Sequence, residues 1–204
     1  MIAVIDYGVG NLRSVEKAFQ FIGEEAAVSN DRTFILGADA VVLPGVGAFA
    51  DAMNSLHKAG MYDVVKEALA SGKPFLGICL GMQLLFDYST EGGNEVRGLG
   101  VFKGSIKLLP GGGQLKVPHM GWNSIRVSNE CSVFKGLPEK PYVYFIHSYY
   151  LEAEDRNIVA AAADYGITFD AAVCRGNVCA TQFHPEKSGE IGLHILRNWV
   201  DHMV

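Results

Sequence analysis

The chain has 204 residues, 49% of them hydrophobic and 19% charged, and a formal net charge of −5. That balance excludes a disordered chain, and charge spread without basic blocks leaves no electrostatic footprint for nucleic acid. No apolar run reaches the roughly 18 residues a membrane span needs and MIAVIDYG carries no basic leader region, so a soluble, cytoplasmic protein with no membrane partner is expected.

In chain order, IAVID (2–6) reads as a buried strand and YGVGN as a turn. Leu12, Val15, Phe19 and Ile22 then recur at helical spacing until Gly23. ADAVVLPG (38–45) is a second buried strand, followed by a helix from about Ala48 to Lys58 and another from about Tyr62 to Leu69 that Gly72 ends. KPFLGIC (73–79) is the next strand. Continuous apolar strands separated by helices predict an α/β fold with a mostly parallel central sheet and helices on both faces. Past Tyr88 the texture changes to short strands and turns: VFKGSIKLL (101–109), the glycine run 111–113, LKVPHMGWNSIRV (115–127) and YVYFIHSYYLE (142–152). These read as antiparallel additions, since no linker separates them, and predict one domain over residues 1–204. Two strands around Ala171–Val173 and Val178–Phe183 and a helix from about Gly189 to His202 close the chain.

The chemistry concentrates in three stretches. Gly77-Ile78-Cys79-Leu80-Gly81 has the layout of a nucleophile elbow at a strand-to-helix junction, where flanking glycines let strand and helix approach and the first helical turn favours negative charge on sulfur. Taken alone it also reads as a buried thiol beside packing glycines. In TQFHPEKS (181–188), His184 and Glu186 lie two apart at the end of a strand, where both side chains point the same way, and they complete a Cys–His–carboxylate relay with Cys79. Pro44-Gly45-Val46-Gly47, at the end of another strand, supplies the Val46 N–H as a partner for the Leu80 N–H in an oxyanion hole. Gly45 and Gly47 make rotation of that peptide cheap, so the hole is expected to complete itself only when a partner biases the loop. All three stretches fall at carboxyl ends of strands, where open parallel sheets hold their sites.

Together G-x-C-x-G-x-Q (Gly77 to Gln83), P-G-V-G and H-P-E resemble a class I, triad-type glutamine amidotransferase, of flavodoxin-like layout. IDYGVGNLRSV (5–15), LPGVGAFADAM (43–53), PHMGWN (118–123), YFIHSYY (144–150) and ATQFHPEKS (180–188) narrow the resemblance to the glutaminase subunits of imidazole glycerol phosphate synthases. The resemblance implies that Cys79 attacks the side-chain amide of glutamine and passes through a glutamyl thioester. It implies a substrate pocket of Gly47, Gln83, His147, Ser148 and Tyr149. It also implies a heterodimer with a (β/α)8-barrel cyclase subunit, facing Asn11, Met120, Trp122 and Lys187, to which ammonia is delivered for histidine biosynthesis. No cofactor is expected.

Other signals are set aside. Gly8-Val9-Gly10 invites a dinucleotide reading, but the third glycine of that fingerprint would fall at Arg13. His57, His119, His147, His194 and His202 show no metal-ligand spacing, and Cys79, Cys131, Cys174 and Cys179 are expected as free thiols, so no metal site is expected. Two rival functions stay open: a stand-alone amide hydrolase, fully active without a partner, and a regulatory subunit without turnover, which would form no thioester.

Overall fold

The computed structural model describes residues 1–112, 115–127 and 131–204. β1 (Ile2–Ile5) is buried along its whole length because alternate side chains feed two different layers. Ile2 and Val4 enter one apolar core, and Ala3 and Ile5 enter the other. α1 (Leu12–Phe21) covers the first core with Val15, Ala18 and Phe19, as its periodicity predicts.

Between α1 and β3 (Ala40–Gly45) the chain inserts β2 (Ala26–Ser29) and α2 (Arg32–Gly37), neither of which the sequence reading anticipates. β2 is a half-buried edge strand, so its sequence AAVS carries no long apolar run. α2 spans six residues, too short for a periodic signal, although Asp31 caps it by accepting the Phe34 N–H at 2.7 Å. α3 (Phe49–Lys58) and α4 (Met61–Ala70) follow as expected and pack with α2 on the second core. β4 (Phe75–Cys79) then runs straight into α5 (Leu80–Leu84).

The remainder adds β5 (Phe86–Ser89), β6 (Val96–Arg97), β7 (Phe102–Leu108), β8 (His119–Val127), β9 (Tyr142–His147), β10 (Tyr149–Ala153), β11 (Val159–Asp164), β12 (Thr168–Arg175) and β13 (Val178–Thr181). α6 (Gly189–Met203) ends the chain. The sheet runs β2-β1-β3-β4-β13-β12-β10-β7-β5-β6, with β8, β9 and β11 branching from β12. Neighbours from β2 to β13 pair in parallel, and β12 pairs antiparallel with β13, β10 and β11. β11, VAAAAD, is missed from sequence because an alanine run carries little strand preference; its place is set by pairing with β12 and β8. The glycine run expected as a turn is described through Gly112, and Gly113 lies outside the described residues.

α6 joins α1 on the first core, where Trp199 meets Phe19 with ring centroids 5.7 Å apart. The expectation of four free thiols needs correction. Cys174 and Cys179 stand directly opposite each other on the β12–β13 hairpin, Cα atoms 4.3 Å apart, and are joined as a disulfide. Their separation of five residues carries no pairing signal in sequence; the hairpin register creates it.

Candidate active site

β4 delivers Cys79 at φ 55° and ψ −111°, the one non-glycine residue at positive φ among the described residues. Such a conformation costs of order 1–3 kcal/mol and persists only where its surroundings over-determine it. The flanking glycines supply that constraint. A Cβ on Gly77 would sit 3.0 Å from the Gly81 carbonyl oxygen, and one on Gly81 would overlap the Leu43 carbonyl of β3. Gly81→Ala should therefore lower unfolding stability by about 1–3 kcal/mol, read by urea denaturation; an unchanged midpoint would contradict the close approach of α5 to β3.

The helix after Cys79 has only five residues, so its dipole is a weaker source of positive charge than the sequence suggests. The stronger source is His184. Its Nδ1 lies 2.8 Å from Glu186 Oε1, and both side chains are almost wholly buried. Burial alone would pull the imidazole down, yet interactions with Cys79 and then Glu186 outweigh it and raise the group to about 10. The ring therefore favours the imidazolium form beside the sulfur. Its Nε2 is buried without a hydrogen-bond partner among the described residues.

The loop carrying this pair is not a strand continuation. β13 stops at Thr181, and Pro185–Lys187 form a single 3-10 turn, so a turn rather than strand alternation aligns His184 and Glu186. The loop is tied to its neighbours by backbone and by Ser188, a residue the sequence reading passes over. The His184 N–H donates to the Tyr144 carbonyl at 3.0 Å; Ser188 Oγ donates to the His184 carbonyl at 2.6 Å and accepts the Tyr144 N–H at 2.9 Å.

Cys79 and His184 open on one cavity of about 410 Å³, also lined by Val46, Gly47, Leu80, Gln83, His147, Ser148, Tyr149 and Lys187. Glu91, Pro118 and Ile146 join the lining without having been anticipated. Met120 and Trp122 lie outside that lining, 59% and 56% exposed on β8. Asn11 stands half-buried at the start of α1 with no side-chain cap bond. Lys187 reaches the cavity with its ammonium 6.0 Å from the Tyr144 ring centroid.

The profile of the family described as Glutamine amidotransferase class-I matches residues 3–203. The chain is 52% identical to imidazole glycerol phosphate synthase subunit HisH of Syntrophotalea carbinolica, over 98% of this chain and 100% of that protein. It is 50% identical to the HisH subunit of Caldanaerobacter subterraneus, over 98% and 97% of the two chains. The chain belongs to the class I glutamine amidotransferase family. Its fold is also that of the structure of PurLQS from Thermotoga maritima, with TM-score 0.75 at 20% identity over 100% of this chain and 98% of that one.

Several polar groups of this amidotransferase are spent on holding the cavity wall. Gln83 Nε2 donates to the Tyr149 carbonyl at 3.0 Å and to Gln182 Oε1 at 2.9 Å, and Gln182 Nε2 lies 3.8 Å from Cys79 Sγ. Gln182 lies inside the TQFHPEKS stretch without a signal of its own; its wholly buried amide, just past the end of β13, is tied to α5. His147 is likewise committed. Its Nδ1 donates to the Tyr149 carbonyl at 2.9 Å, so its Nε2 must accept from His119 Nδ1 at 3.0 Å. Burial lowers His147 to about 3 and His119 to about 4, so both are neutral and the tautomers are fixed by this chain. With both ring nitrogens engaged, His147 offers a ligand its backbone and ring edge rather than a free hydrogen bond, which narrows the substrate-binding role expected of its side chain. Tyr7 likewise has no signal in the sequence: its buried hydroxyl donates to the Pro44 carbonyl at 3.0 Å, and burial, then Cys79, push it well above the ordinary phenol range.

Proposed function

We propose that this chain is the glutaminase subunit of an imidazole glycerol phosphate synthase, hydrolysing glutamine to glutamate and ammonia for histidine biosynthesis in the cytoplasm, with residues 1–204 acting as one amidotransferase domain. The observation that carries the reading is Cys79 held at positive φ on the same cavity as a raised, Glu186-paired His184, in a chain half identical to HisH subunits along its length.

The thiolate of Cys79 attacks the side-chain carbonyl carbon of glutamine, and the electron pair of the C=O moves to oxygen. Backbone N–H groups of Val46 and Leu80 receive that oxyanion, each donor contributing about a hundredfold or more in rate. The tetrahedral intermediate collapses, the C–N bond breaks, and His184 Nε2–H protonates the departing nitrogen as ammonia. Water, deprotonated by the now neutral His184, then opens the thioester to glutamate. Glu186 keeps the imidazole in register and balances its charge. Gly47, Gln83, His147, Ser148 and Tyr149 hold the glutamine, the last three mainly through the β9–β10 backbone.

Ammonia near pH 7 is mostly protonated and then no nucleophile, so it has to reach its acceptor sheltered from bulk water. A cyclase subunit with a (β/α)8 barrel, seated over Asn11, Met120, Trp122 and Lys187, would provide that shelter. The exposed Trp122 on β8 suits an interface anchor. Regulation through the oxyanion loop hinges on Gly47 rather than Gly45. A Cβ on Gly45 would lie 2.6 Å from the Tyr7 hydroxyl and 3.0 Å from Leu80 Cβ, so this residue is wedged and a substitution there disturbs packing before it tests rotation. Gly47, at φ 94° with nothing within 4 Å of a Cβ, has the freedom to turn.

Glutamate release measured with and without the cyclase and its nucleotide ligand tests the proposal. The isolated chain should turn over slowly and rise by about a hundredfold in the liganded complex, as expected for one completed oxyanion donor. Full activity from the chain alone would favour the stand-alone hydrolase instead.

A further inference from the structure

A second cavity, of about 300 Å³, lies beside the β12–β13 hairpin and shares no lining residue with the one that holds Cys79. Cys131, Cys174, Cys179 and Met203 all line it. Cys174 and Cys179 share a hairpin face as a directly opposed pair; Cys131 precedes the Ser132–Phe134 turn; Met203 is the last residue of α6. The three cysteine sulfurs lie within 4.8 Å of one another. Cys131 Sγ is 3.9 Å from Cys179 Sγ, and Cys179 Sγ is 3.4 Å from Met203 Sδ.

We infer that the dithiol form of this cluster is a binding site for a thiophilic d10 cation, Zn(II) or Cu(I), held by Cys131, Cys174 and Cys179 with Met203 as a fourth, softer donor. Two thiolates on a tetrahedral metal with metal–sulfur bonds of about 2.3 Å stand about 3.8 Å apart, the spacing Cys131 and Cys179 already have. Cys174-Arg-Gly-Asn-Val-Cys179 is a C-x4-C segment, within the ligand spacing common in structural zinc sites, and the turn presents both sulfurs on one side. An all-sulfur donor set selects this metal class against magnesium, calcium or manganese. Cys131 and Cys174 are half-buried, so an ion has a way in, while Cys179 is buried. Spacing did not reveal the site because its third ligand, Cys131, comes from a distant segment and a thioether is no part of the usual motifs.

The disulfide gates the site. A dithiol reductant transfers two electrons and two protons to Cys174–Cys179, giving two thiols and the oxidised reductant; the cation then displaces the thiol protons to solvent. Occupancy would staple the end of α6 and the residue-131 segment to the hairpin whose second strand, β13, leads into His184.

The test uses the full chain carrying Cys79→Ala, so that the thiol of the first cavity cannot compete. The dithiothreitol-reduced and the oxidised chain are each titrated anaerobically with Zn(II) and, separately, with Cu(I) against a chromophoric chelator. Reduced chain should take up one equivalent of at least one of the two ions, oxidised chain at least tenfold less. Cys131→Ser and Cys174→Ser should each weaken binding at least tenfold, and Met203→Leu more modestly. If Cys174→Ser fails to fold by circular dichroism, the half-exposed Cys131→Ser decides. Failure of the reduced chain to retain either ion, or affinity unchanged by Cys131→Ser, overturns the inference.

Discussion

Replacing Cys79 by Ala should abolish glutamine-dependent turnover, by about a millionfold on the scale of another nucleophile deletion, while the complex with the cyclase keeps its full rate on added ammonium salts. The two halves of the result have separate physical causes. In the proposed mechanism, loss of the sulfur removes the attacking atom, so no thioester should form, whereas deletion of one buried atom should leave the cavity and the partner's chemistry intact. Loss of both activities would contradict the division of labour. The same variant carries a second readout. His184 owes its raised value first to Cys79 and then to Glu186, working against burial, so Cys79→Ala should lower the His184 titration midpoint from about 10, measured by nitrogen-15 NMR of the labelled imidazole.

Glu186→Gln should retain the fold and cost about ten-thousandfold in glutaminase rate, the loss known for an acid-to-amide change in a related triad. The amide can still reach Nδ1, 2.8 Å from the present carboxylate oxygen, but it cannot balance an imidazolium and permits the wrong tautomer. The pH dependence of stability follows with a definite sign. His184 has a folded-state value above its ordinary 6.5, so its charged form contributes in full below about pH 6.5 and the contribution fades as pH rises through 10. In Glu186→Gln the upper limit of that window should move down, and urea midpoints between pH 6.5 and 10 should fall off earlier than in the parent. Identical profiles for the two proteins would show that Glu186 does not act on the charge of His184.

Much of this architecture is legible in the chain because buried parallel strands write themselves as apolar runs: IAVID, ADAVVLPG and KPFLGIC each hold a β-strand whose ends lie within two residues of those expected. The elbow was legible because its glycines are required by contact, Gly77 against Gly81 and Gly81 against Leu43. What escaped detection depends on tertiary neighbours. β2 and β11 are alanine-rich strands whose identity comes from the strands beside them. The Cys174–Cys179 disulfide comes from hairpin register, and the neutral His119–His147 pair from a β8–β9 register that sets those two residues opposite one another. The alignment of His184 with Glu186 was expected for the wrong local reason, a strand where the chain makes a 3-10 turn. Gln182 and Ser188 are silent in the sequence because a buried amide or hydroxyl has no spacing signature; only its partners reveal it.

In the proposed reaction a covalent bond joins glutamine-derived carbon to the sulfur of Cys79. The most direct measurement is rapid acid quench of the liganded cyclase complex during turnover of isotope-labelled glutamine, followed by peptide mass mapping. A glutamyl adduct on the peptide holding Cys79, absent in Cys79→Ala, is the predicted result. Steady glutamate release with no labelled adduct on that peptide at any quench time would contradict it.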